Sequence, residues 1–245
     1  MLWLPYAGCE TMATVTSQPE RTVRDELLHA AVGLLDAHGP DALQARKVAA
    51  AAGTSTMAVY THFGGMPQLI AAVTEEGLRQ FDAALTVPLT DDPVADLLAT
   101  GMAYRDFAIA RPHLYRLMFG STSAGGINAP ALNMLTLSLA QIGDHIPSFA
   151  HVVRGVHRSM QAGRIRAAPN GSAASDAQVV ATAAQFWTVM HGFVMLELAG
   201  FFGDSHDPAM AVGPVLGPMT TGLLVALGDS PERVAQSLAA VSDRT

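Results

Sequence analysis

The sequence predicts an all-α protein, a small N-terminal three-helix unit followed by a larger helical C-terminal unit. Three observations carry this prediction. Ala, Leu, Met and Gln dominate, and no stretch alternates apolar and polar residues between turns as a half-buried strand requires. Helix-start patterns stand at Thr22-x-x-Asp25 and Ser175-x-x-Gln178, where a hydroxyl and an acceptor three residues on satisfy free amides. Gly and Pro cut the chain at helix-sized intervals.

In chain order, Thr22 opens a first helix whose Leu27, Leu28, Ala31, Val32, Leu34 and Leu35 form one apolar stripe, and Gly39-Pro40 ends it. A short second helix covers Gln44–Ala52 and closes at Gly53. A third starts in Thr54-Ser55-Thr56 and stops at Gly64-Gly65. Pro67 suits the first turn of a fourth helix that runs to Ala84. Val87–Pro93 is an acidic, proline-bracketed connector, after which Asp92-Pro93 starts a helix to Ala110. Arg111-Pro112 breaks that helix, and a shorter one reaches Phe119. Gly120–Ala129 reads as a flexible loop. A long helical region is expected from Pro130 to Ala168, interrupted at Ile146-Pro147. After a loop at Pro169–Ala174, Ser175 caps a helix to Gly200. A last long helix over Ala209–Leu227, kinked at its prolines, precedes a terminal piece from Ser230-Pro231. The expected organisation is an arm over 1–20, a helix-turn-helix unit over 21–66 and an effector-binding and dimerisation unit over 67–245, with the fourth helix shared.

Composition narrows the function. The 245 residues are 50% apolar and only 14% charged, with mean hydropathy +0.28, against roughly 25% charged in ordinary soluble domains. Disorder is excluded, and some apolar surface needs a partner to hide it. Twenty-one acids against fourteen bases, a net charge of −7, argue against nonspecific coating of nucleic acid or anionic membrane. The single cysteine, Cys9, excludes an intrachain disulfide or cysteine-rich metal cluster and fits a reducing, cytoplasmic setting. Met1–Glu20 lacks periodicity, its apolar start is too short for a signal core, and Met12 is an alternative start. Two charge-free stretches, Ala177–Leu196 and Pro208–Gly228, have membrane-spanning length. The first contains Gln178, Gln185 and His191, the second is cut by Pro214 and Pro218, and neither has basic flanks. Both read better as surfaces buried against protein than as spans.

The short second and third helices, joined at Gly53, have the helix-turn-helix pattern, in which the second member lies in a major groove of DNA. Such a helix needs an exposed face of small and polar groups. Thr54, Ser55, Thr56, Ala58, Thr61 and His62 supply it, while Val59 and Phe63 point inward. Tyr60 is expected to pack its ring inside and show its hydroxyl. Free amides at the starts of helices two and four are candidate phosphate sites. Ala49-x-x-Ala52-Gly53-x-Ser55-x-x-x-Val59-Tyr60-x-His62-Phe63, followed by Leu69, resembles the signature of the TetR family of one-component bacterial repressors, over Thr22–Thr74 without gaps.

By position, that resemblance puts Thr56, Ala58, Tyr60, Thr61 and His62 where the family contacts DNA, and Arg46 where a basic residue commonly reaches it. With Gln44, Lys47, Thr54 and Ser55 these make the candidate DNA-binding set. The family's frequent lysine at the start of helix four is absent; Met66 stands there. From Glu20 to Gln80 five bases face seven acids, a net of −2, and within Asp41–Gly65 the balance is +1. Weak nonspecific binding and a shallow salt dependence are therefore expected.

Further on, Arg111-Pro112-His113-Leu114-Tyr115-Arg116-Leu117-Met118-Phe119 and Trp187-x-x-x-His191-Gly192 resemble the TetR subgroup with a Trp-His-Gly C-terminal domain. The resemblance implies an all-helical homodimer joined through the last two long helices, which are the two charge-free stretches. The expected partners are a double-stranded operator and a small hydrophobic effector, which on this reading wedges apart helices touching helix four. Candidate ligand-binding residues are Met102, Tyr104, Phe107, Met118, Phe119, Met134, Phe186, Trp187, Met190 and His191, because Met and aromatics make adaptable apolar walls. For each, plain core packing is the competing reading, and for His191 a satisfied buried ring. Arg154, Arg158, Arg164 and Arg166, with His151 and His157, make either an anion or acidic-partner site or a solvated face paired with acids elsewhere. No cofactor or metal is expected. The phosphate-loop, Gly-x-Ser-x-Gly and His-Glu-x-x-His motifs do not occur, and His145, His151 and His157, six apart, fall on different helix faces. The rival to a regulator is a helical binding or adaptor module that has lost DNA binding.

Overall fold

The computed structural model describes residues 22–119, 133–166, 173–203 and 206–242, and among these residues every regular element is helical. The arm, Cys9, the 120–129 loop and most of the 169–174 loop lie outside the described residues.

Helix α1 (Val23–His38) opens on the Thr22–Asp25 capping box and buries Leu27, Ala31, Val32 and Leu35. Helices α2 (Ala45–Ala51) and α3 (Thr56–Phe63) follow, and Val48, Ala49, Val59 and Phe63 close a small core against α1. Gly64 and Gly65 then turn the chain with φ of +81° and +143°. Both values lie where a side chain is strained, so this glycine pair sets the angle between α3 and α4 (Met66–Ala84).

Asp92 caps α5 (Pro93–Ala110) by accepting from the amides of Val94 and Ala95. The break at Arg111-Pro112 starts α6 (Pro112–Met118). α6 lies tight on α4 because Gly77 has no side chain: a Cβ there would sit 2.8 Å from Leu114 Cδ1 and 3.0 Å from Met118 Sδ. One continuous apolar core therefore runs from α1 through α4, α5 and α6 to Phe193 and Val194.

The helical region expected from 130 to 168 with one interruption is more divided than that. Its described part is a 3₁₀ turn at Met134–Thr136, α7 (Leu139–His145) and α8 (Pro147–Gln161). Ser138 and Gln141 form a capping box that starts α7 afresh, and the chain leaves α8 through Gly163 at φ +63°. The Ser138-x-x-Gln141 pattern was there to be read. The break at Ile146-Pro147 stands where expected. α9 (Asp176–Leu198) begins on the Ser175–Gln178 capping box. The kink expected in the next helix is a π-helical turn, Val212–Leu216, between α10 (Pro208–Ala211) and α11 (Gly217–Ala226). Helix α12 (Pro231–Ser242) packs back onto α5 and α11.

Candidate DNA-reading face and apolar cavity

Gln44, Arg46, Lys47, Ser55, Thr56, Tyr60, Thr61 and His62 are all exposed, on one side of the α2–α3 pair, with Thr54 and Ala58 half-buried between them. Thr61 Oγ1 donates to the Met57 carbonyl at 3.0 Å, which leaves its methyl and lone pairs outward. Gln44 Nε2 donates to the Asp41 carbonyl, so part of its capacity is spent locally. No side chain caps the starts of α2 and α4. The ring of Tyr60 is a correction: the residue is 55% exposed, because Val59 and Phe63 already fill the inward face. Phe63 is buried as expected, under the Arg24 guanidinium at 4.8 Å. Met57, 68% exposed on the same face as the polar contacts, was missed. An unpartnered large apolar side chain on a polar helix is the signal that could have found it.

The second feature is a cavity of about 310 Å³ enclosed by α5, α8, α9, α10, α11 and α12. Its wall is apolar: Leu97, Leu98, Met102, Val152, Phe186, Trp187, Met190, Val212, Leu216, Leu238 and Val241, with Gly101, Pro208 and Gly217. Thr100, Tyr104, Thr220 and Ser242 are its polar members, and among the described residues no charged side chain lines it.

Residues 27–73 match the family described as bacterial regulatory proteins, tetR family, and residues 97–213 match the tetracyclin repressor-like C-terminal domain. The chain belongs to the TetR family. It is similar to the HTH-type transcriptional regulator Rv0681 of Mycobacterium tuberculosis, 24% identical over 207 residues, with 82% of this chain and 81% of that one covered. A protein of unknown function from Rhodococcus sp. RHA1 superposes with a TM-score of 0.63 at 26% identity, covering 87% of this chain and 100% of that one. The structure of RolR in complex with resorcinol superposes at 0.55 with 14% identity, covering 88% and 92%. The chain is thus a TetR-family transcriptional regulator with a DNA-binding N-terminal domain and a ligand-binding C-terminal domain.

Of the ten expected ligand residues, this regulator places Met102, Tyr104, Phe186, Trp187 and Met190 on the cavity wall. The other five stand elsewhere. Phe107, three residues past Tyr104, packs on Phe81 at 5.1 Å, and Met118 fills the notch at Gly77. Phe119 lies on Tyr115 and on His191, each at 4.8 Å between ring centroids. Met134 belongs to the 3₁₀ turn that packs on the second core, around α7 and α8. His191 turns to Tyr104 and Tyr115, where its Nδ1 lies 3.0 Å and 2.7 Å from the two hydroxyls, themselves 2.8 Å apart. The contribution of α12 was missed. Its Val234, Leu238 and Val241, spaced four and three apart, were a legible apolar stripe.

Three of the basic group, His151, Arg158 and Arg164, form ion pairs, while Arg166 Nη2 donates to the Ala226 carbonyl. Arg158 binds Asp96 and the Thr90 carbonyl, and His151 binds Asp82 at 2.9 Å. Arg164 binds Asp229, Asp92 and Ser237, tying α12 to the start of α5 across the cavity's end. Burial pushes the Asp92 carboxyl up, but the Ser237 hydroxyl, the Ala95 and Val94 amides and the Arg164 charge hold it below the usual carboxylate range.

Burial pushes the Tyr104 hydroxyl up to about 12 and raises that of Tyr115 further, so both are protonated phenols. Burial lowers His191 from its ordinary 6.5. Between its folded and unfolded values the unfolded chain binds the extra proton, so stability rises with pH across that window and is lost as pH falls below about 6.5. The expected result is a larger fall in thermal midpoint between about pH 7.5 and 5.5 for the wild type than for His191→Gln. Equal falls would show that His191 carries no such linkage.

Proposed function

We propose that a homodimer of this regulator binds a palindromic operator as a repressor and leaves it when a small, uncharged, largely apolar effector fills the cavity. The apolar cavity carries the effector half of this reading: its described lining offers apolar area and no countercharge. RolR, on the same fold, was solved holding the small ligand resorcinol. The Trp-His-Gly subgroup and the division near residue 66 belong to the same proposal.

The dimer half rests on α9 and α10–α11. Both are long and apolar enough to cross a membrane, yet only 39% and 17% of their most apolar windows are buried within the protomer. Ala181, Gln185, Thr188, Gly192 and Leu196 face outward on α9, and Met210, Pro214, Pro218, Met219 and Gly222 on α10–α11. Small residues and methionines without charge suit close helix packing across a twofold axis. Two copies of α3 then meet successive major grooves about 34 Å apart.

Arg111, at the end of the α5 cavity wall, binds Asp36 of α1 and Gln80 of α4. A ligand that moves α5 thus pulls on both helices that carry α3, and its preference for one spacing of the two α3 copies sets the response.

Band shifts on DNA adjoining the regulator's own gene test this. The wild type is expected to bind, with a log-affinity against log-salt slope shallower than about −8, since few cations face phosphate. Tyr60→Ala or Thr61→Ala, still folded, is expected to abolish the shift. A folded dimer that ignores this DNA at low salt sinks the proposal and favours an adaptor; a slope of −8 or steeper sinks the charge argument.

A further inference from the structure

We infer that Met57 determines base specificity in this regulator, by packing its side chain on the C5-methyl group of a thymine in the operator, a step that rests on the operator reading above. It adds the class of base that lies under the centre of α3.

The residues of α3, Thr56 to Phe63, read TMAVYTHF. They include none of the side chains that read a base by two parallel hydrogen bonds, Arg or Lys on guanine and Asn or Gln on adenine. They include no carboxylate to accept from cytosine either. Gln44, Arg46 and Lys47 belong to α2 or its N-cap, and the first helix of such a motif crosses the DNA backbone rather than entering the groove. What α3 offers a base edge is therefore three hydroxyls, one imidazole and apolar surface.

Helix geometry decides which of these stands foremost. At 100° per residue, Met57 lies about 160° round the axis from Val59, and Thr61 about 160° the other way. Val59 and Phe63 are buried in the core shared with α1 and α2, so Met57 and Thr61 are centred on the side opposite that core. Tyr60 and His62 flank them. Thr61 Oγ1 donates to the Met57 carbonyl at 3.0 Å, so the hydroxyl on this line has already used its hydrogen. Met57 also sits in the first turn of α3, the end that reaches base edges. It is 68% exposed and takes no part in the core of the three-helix unit.

The thymine methyl is the one apolar group that a base pair shows in the major groove. Against it the Met57 side chain and the methyl both leave water. Over a polar base edge the same side chain strips water from donors or acceptors and gives no hydrogen bond in return. Contact and penalty thus select the same base.

Uracil pairs like thymine and lacks only that methyl, so the test is to delete it. DNA adjoining the regulator's own gene is copied with a few thymines replaced by uracil, bound by the full-length protein, separated into bound and free fractions and cut at uracil. Every position at which uracil is depleted from the bound fraction is carried into a synthetic duplex, and Kd is measured with thymine and with uracil at that one place. Synthetic DNA holds no methylcytosine, so thymine is its only source of the methyl. At one position or more the wild type is expected to bind the thymine duplex about fourfold more tightly, the worth of one buried methyl. Met57→Ala is expected to bind both duplexes alike, and so is Met57→Gln, which keeps the length of the side chain. A wild type indifferent to uracil at every thymine overturns the inference. So does a Met57→Ala or Met57→Gln protein that keeps every preference of the wild type, which passes the reading to the methyls of Thr61 or Ala58. A wild type that binds none of this DNA takes down the operator reading, and Met57 as a reader with it.

Discussion

Met219→Glu is expected to convert the proposed dimer to monomers at micromolar concentration and to weaken binding to the proposed operator at least about a hundredfold. Met219 is half exposed on α11 within a protomer, so a carboxylate there costs the folded monomer little. In a twofold interface the same change enters twice, and each carboxylate loses its water against the partner's apolar helices without a cation to pair with. Operator binding falls because one α3 alone keeps only half of the base contacts and loses the tether to the second half-site. Sedimentation equilibrium reads the assembly and circular dichroism the fold. Met219→Leu, which keeps the surface apolar, is the control and is expected to remain dimeric. A Met219→Glu protein that stays dimeric with wild-type operator affinity would place the interface on another face.

Arg105→Ala is expected to lower stability by about 3–5 kcal/mol, since removing one partner of a buried pair leaves the other charge uncompensated. Arg105 Nε and Nη2 donate to the two carboxylate oxygens of Glu197 at 2.9 and 2.6 Å, with both side chains almost fully buried between α5 and α9. Nη2 also donates to the His206 carbonyl at 2.7 Å, so the pair anchors the chain between α9 and α10. At this chain length the loss corresponds to roughly 6–20 °C in thermal midpoint. The double replacement Arg105→Met with Glu197→Leu is expected to recover most of it, because no charge is then left in the interior. A single variant within about 1 kcal/mol of the wild type would mean that water reaches Glu197.

Much of the fold was legible because its signals are local. Thr22 with Asp25 and Ser175 with Gln178 mark helix starts by satisfying amides three residues away, and both capping boxes stand in the structure. Gly53 and Gly64-Gly65 bracket α3 at the residues expected, and Val59 and Phe63 turn inward. The helix-turn-helix face was readable for the same reason, since a short helix between glycines has only one side free of core residues. Tyr60 escaped because a local pattern cannot say whether the core still has room for one more ring.

The cavity lay beyond such reasoning. Periodicity says that a side chain faces inward, but not which neighbour it meets there. Met102 and Trp187 reach the cavity while Phe107 and Met118, equally apolar, are consumed by Phe81 and by the notch at Gly77. Tyr104, Tyr115 and His191 come from α5, α6 and α9, up to 87 residues apart, and no spacing rule joins them. The amino-acid sequence by itself determined most of the helices, the caps at Thr22 and Ser175, the polar exposed face of α3 and the two charge-free segments, since each depends on residues within a few turns of one another. Tertiary structure alone decided the walls of the cavity, the burial of Arg105 with Glu197 and the hydrogen-bond triangle, since each depends on how far apart separately formed helices come to rest.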